Sequence, residues 1–87
     1  MEFRWNPEKD EWLKRERGIS FVDLVTAYNN GRILGIEPHP KKTQQILILF
    51  EKDNYMYVAP CVQESTDVYF LKTIYPSRKA TKRYLSI

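Results

Sequence analysis

Five consecutive apolar residues, Ile46-Leu47-Ile48-Leu49-Phe50, set the strongest constraint on the fold. Side chains of a strand alternate between its two faces, so a run without a polar member must be covered on both. It reads as the central strand of a sheet. At 87 residues the chain has room for one domain with a modest core. The covering layers must then come from short elements of the same chain.

The residues before that run supply helices. Phe3 and Trp5 alternate with Glu2 and Arg4, the period of a short strand with one buried face. Asn6-Pro7 opens a helix, with Asn6 as N-cap and Pro7 at the first helical position, where a missing N–H costs nothing. Glu8, Asp10 and Glu11 stand near its positive end, Lys14, Arg15 and Arg17 near the other, and Gly18 stops it. Ser20 and Asp23 form a capping box, with Ile19 stapled to Leu24. The helix that follows has Phe21, Leu24, Val25 and Tyr28 at i, i+3, i+4 and i+7 and ends at Asn29-Asn30-Gly31.

From Arg32 onward the period is that of strands. Ile33 to Ile36 is one, closed by a loop at Pro38-His39-Pro40-Lys41-Lys42 in which His39 is solvated and unpinned. After the central run, Lys52-Asp53-Asn54 turns the chain into Tyr55 to Ala59, and Pro60 implies a bulge or strand edge. Ser65-Thr66-Asp67 turns again into a last strand, Val68 to Tyr75, ended by Pro76. Ser77 caps a final helix, Arg78 to Leu85. The expected class is α+β: a short N-terminal strand, two helices, a four-strand antiparallel meander and a short C-terminal helix, all one domain over residues 1 to 87.

Charge is unevenly spread. Residues 68 to 87 hold Lys72, Arg78, Lys79, Lys82 and Arg83 and no acid, whereas the preceding part carries nine bases and eleven acids. The net charge of +3 is therefore a local excess, an anion-contacting surface suited to RNA. The bland alternative is a solvated helix face. Lys41 and Lys42 extend the patch if their loop lies beside the last strand.

Other chemistries lack the residues they need. One cysteine and one histidine make neither a disulfide nor a zinc site, and Cys61 among Val58-Ala59-Pro60 and Val62 reads as a buried, inert thiol. Glu8, Asp10 and Glu11 answer the helix dipole, and Glu51 and Asp53 flank a turn, so no carboxylate pair points to a metal. Three glycines form no phosphate loop. No apolar run approaches the ~20 residues of a membrane span, and the N-terminus lacks an apolar signal core, so a cytoplasmic location is expected.

Three blocks, Phe3-Arg4-Trp5-Asn6-Pro7-Glu8-Lys9, Arg17-Gly18-Ile19-Ser20-Phe21 and Ser77-Arg78-Lys79-Ala80-Thr81-Lys82-Arg83-Tyr84, resemble the BrnT family of bacterial toxins in order and spacing. They bracket nearly the whole chain, while the middle matches only as strands. The resemblance implies a RelE-like fold and a metal-independent, cofactor-free endoribonuclease that cleaves messenger RNA, free or on the ribosome, and arrests translation. It also implies a cognate antitoxin of the ribbon-helix-helix DNA-binding type. The chain departs from the family at Asn6, commonly Asp, at Arg17, commonly His, and at Pro76.

RNA cleavage needs a 2′-OH activated, a charged phosphorane stabilised and a 5′-oxygen protonated. Cations and phenols are the groups on offer. Lys72 on the last strand and Arg78 at the start of the helix are expected to converge on one phosphate, with Arg78 stabilising the transition state. Tyr75 or Tyr84 relays a proton if nearby cations lower its pKa; stacking on a base serves either residue equally. Lys79, Lys82 and Arg83, with Lys41 and Lys42, hold the flanking RNA. Two other readings stay open, a non-enzymatic toxin of the same fold acting on a target such as DNA gyrase and a small RNA- or protein-binding module.

Overall fold

The computed structural model describes residues 1–86. In chain order the elements are β1 (Glu2–Arg4), α1 (Pro7–Arg17), α2 (Phe21–Asn29), β2 (Ile33–Pro38), β3 (Gln45–Lys52), β4 (Tyr55–Gln63), β5 (Val68–Leu71), β6 (Tyr75–Pro76) and α3 (Arg78–Leu85). The strands form one six-stranded sheet in the order β1-β5-β4-β3-β2, with β6 paired to β4. Strands β2 to β5 are the antiparallel meander, and β1 lies parallel to β5, Phe3 opposite Tyr69. No helix of the described residues is long and apolar enough to cross a membrane.

The apolar run does cover both faces. Ile48 and Phe50 point into a core shared with Leu13, Phe21, Leu24 and Ala27 of the first two helices, together with Ala59, Cys61 and Leu71. Leu47 and Leu49 point the other way, onto Met56, Val58 and Ala80 and the α3 residues Tyr84 and Leu85. Cys61 is fully buried, and burial pushes its thiol up to about 11, so it is protonated at neutral pH.

Local signals explain the joints. The Asn6 side chain accepts the Glu8 N–H at 2.8 Å and Gly18 closes α1 at φ 64°. The Ser20 and Asp23 capping box is complete. Buried Asp10 accepts from the Ser20 hydroxyl at 3.1 Å and the Phe21 N–H at 2.8 Å, tying α1 to the start of α2. The β3–β4 hairpin turns at Asp53 and Asn54, both with positive φ, as a two-residue type I′ turn requires.

The last strand differs from expectation. Val68 to Tyr75 is not continuous: β5 ends at Leu71, Lys72 lies outside any strand, and Pro76 belongs to β6 instead of ending the sheet. Cys61 pairs with Leu71 but Val58 pairs with Tyr75, so one extra residue is accommodated between them, a β-bulge. Pro60 is the cause. The Lys72 N–H donates to its carbonyl at 2.8 Å, but proline has no N–H to return the bond, and the ladder fails there. The bulge turns Ile74 into the first core, where its carbonyl accepts from the Arg17 guanidinium at 2.6 Å.

Candidate functional site

The sheet face that carries α3 holds a groove of about 390 Å³ between that helix, β2 and β6. Ser77 caps the helix by accepting the Ala80 N–H at 3.0 Å. Thr81 locks it to the sheet: its hydroxyl donates to the Ser77 carbonyl at 2.8 Å and accepts the Met56 N–H at 2.9 Å. With Ala80 and Thr81 buried against the strands, Lys79 and Arg83, four apart, share the side that lines the groove. Tyr75, one residue into β6, lines the same groove and is exposed.

The groove also holds a residue that the sequence reading passed over. Glu37 is its one lining carboxylate among the described residues. Its Oε2 accepts from the Tyr84 hydroxyl at 2.6 Å and from the Arg83 guanidinium; Oε1 has no partner among the described hydrogen bonds. The Tyr84 ring seals the cluster by lying over Gly35, where a Cβ would sit 2.5 Å from the phenol oxygen. The hydrogen bond to Glu37, then burial, raise the Tyr84 pKa, with Arg83 opposing. The signal in sequence was slight: Gly35 and Glu37 two apart in a strand, sharing a face.

The other candidate cations do not line the groove. Lys72 lies with its ammonium 5.6 Å from the centroid of the Phe70 ring, and Arg78 and Lys82 are exposed on α3 without lining the groove. Neither Lys72 nor Arg78 lines the groove. Lys41 and Lys42 stand on the loop after β2, and Pro38 at the end of β2 and Pro40 in that loop line the groove. His39 is half-buried and pinned, contrary to expectation: its Nδ1 accepts the N–H groups of Lys41 and Lys42 at 3.0 and 3.1 Å.

A second cleft, about 460 Å³, opens between the end of α2 and the β3–β4 turn. Four of its five charges are paired, Lys52 with Asp23 at 3.2 Å and Arg32 with Glu51 at 2.8 Å, and the fifth is Asp53 on the turn. Among the described residues no group of three or more His, Cys, Asp or Glu is placed to hold a metal ion.

No protein-family model matches the chain, and no curated protein matches it significantly. Among solved structures it is similar to the Brucella abortus ribonuclease toxin BrnT, known at 1.1 Å, with a TM-score of 0.67 over 88% of this chain and 96% of that one. Identity is 14%. The likeness is one of fold: the mixed α+β architecture is that of BrnT.

Proposed function

We propose that the chain is the toxin of a type II toxin–antitoxin pair, an endoribonuclease that cleaves messenger RNA in the α3 groove. The observation that carries this reading is the convergence of Lys79, Arg83 and Tyr75 around a single carboxylate, Glu37, in a fold shared with a ribonuclease toxin. In the reaction the free Oε1 of Glu37 takes the proton of a ribose 2′-OH, whose oxygen attacks the adjacent phosphorus. Arg83 and Lys79 stabilise the phosphorane charge, and the 5′-oxygen leaves with a proton from Tyr75 or Lys79, giving a 2′,3′-cyclic phosphate and a 5′-hydroxyl. Tyr84 holds Glu37 in place. Arg78, Lys82, Lys41, Lys42 and Lys72 bind flanking phosphates.

A cognate antitoxin, of the ribbon-helix-helix class by resemblance, neutralises the protein by covering this groove with an acidic segment. The test is inducible expression with growth and RNA integrity followed together. Glu37→Gln is expected to lower cleavage about 10²- to 10⁴-fold, the usual worth of a general base, and Lys79→Ala about 10²-fold. Growth arrest with intact RNA would sink the nuclease reading, and full toxicity of Glu37→Gln would remove that residue from it.

A further inference from the structure

On the face of the sheet that carries α3, the end formed by β5 is only partly covered by the described residues. Tyr69 and Leu71 of β5 point into the core under α1 and α2, so Phe70 between them points to the opposite face. Register puts Val62 of β4 on one side of it and Arg4 of β1 on the other. Phe70 and Val62 are each only partly buried and belong to neither hydrophobic cluster. Arg4 and Lys72 are exposed, and the Lys72 ammonium stands over the Phe70 ring. Phe70 and Val62 thus form an apolar patch with Arg4 beside it and the Lys72 ammonium 5.6 Å from the Phe70 ring centroid.

We propose that this face is a second RNA subsite, a platform on which one unstacked base of a single-stranded RNA lies on Phe70 while Arg4 and Lys72 hold the phosphates beside it. The inference rests on the nuclease reading for the identity of the ligand, and extends its site beyond the groove. An aromatic ring flanked by cations on an open sheet face matches what a nucleotide presents, a flat base joined to a charged phosphate. An acidic peptide would satisfy the cations but has no group that requires the ring. The platform lies on the same sheet face as the groove, since Phe70 pairs opposite Val62 and the groove residue Tyr75 opposite Val58. Those positions are four residues apart on β4, about 13 Å, within reach of one extended strand of RNA.

The test is fluorescence anisotropy of the whole purified chain with a fluorescein-labelled oligouridylate of about 12 nucleotides, and with inorganic polyphosphate as an unlabelled competitor. Phe70→Leu, which keeps an apolar side chain, is expected to weaken RNA binding about tenfold and to leave polyphosphate competition unchanged. Arg4→Ala, at an exposed position, is expected to reduce the salt slope of RNA binding by about 0.7. Wild-type affinity in both variants overturns the proposal, as does equal loss of RNA and polyphosphate in Phe70→Leu. Binding of an acidic peptide that falls with the same two variants would make the face a protein site instead. If the variants behave as expected but the wild type cleaves no RNA, the nuclease reading fails and the platform stands.

Discussion

Glu37 takes two donors on one oxygen, and among the described residues its other oxygen has no hydrogen-bond partner; Tyr84, for which the sequence offered a proton relay or base stacking, is one of those donors. A relay required neighbouring cations to lower its pKa; the hydrogen bond to the Glu37 carboxylate raises it, against Arg83. A phenol with a raised pKa stabilises the fold in its protonated form. That contribution is complete below the ordinary tyrosine value near 10 and is lost as pH climbs through the raised one. Spectrophotometric titration should therefore show Tyr84, assigned by difference with Tyr84→Phe, ionising above the ordinary tyrosine range, and Glu37→Gln should bring it down. An unchanged midpoint in Glu37→Gln would show that the hydrogen bond does not govern the phenol.

Between elements, the decisive contact is that of α1 with the bulge. The Arg17 guanidinium donates to the Ile74 carbonyl at 2.6 Å and packs over the Trp12 ring at 4.8 Å. It thereby holds the segment that sets the register of β6, and β6 places Tyr75 and Ser77 at the groove. Arg17→Ala is expected to cost about 1 to 2 kcal/mol, less than a fully buried charged hydrogen bond because Arg17 itself is exposed. Urea unfolding measures it, and faster amide exchange should follow at Ser77, whose N–H donates to the Met56 carbonyl at 3.0 Å. Protection at Ser77 equal to wild type would show that β6 holds its register without Arg17.

At the scale of the molecule, the two cores are separated only by the sheet. Strands β3 and β4 contribute alternate residues to both, so neither layer can lose its packing without exposing a face of the same strands. Unfolding is expected to be a single cooperative transition, as for one domain. Near-ultraviolet circular dichroism, sensitive to Trp5 stacked on Phe21 under the helices, should coincide with the far-ultraviolet signal. Separate midpoints would mean that the α3 layer melts on its own.

Much of this fold could be read from residues alone because its signals are local. Asn6-Pro7, Gly18, Ser20 with Asp23, and Ser77 determine where helices begin and end through bonds to their own backbones, and the run from Ile46 to Phe50 demanded cover on both faces. Pro60 even announced the irregularity in the sheet. The parallel pairing of β1 with β5, the bulge opposite Pro60 and the meeting of Glu37 with Arg83 and Tyr84 depend on contacts between residues more than 40 apart or on an adjacent strand. Such contacts leave no local pattern, so the basic C-terminus was legible as a charge, and only the tertiary structure decided that part of it surrounds a carboxylate.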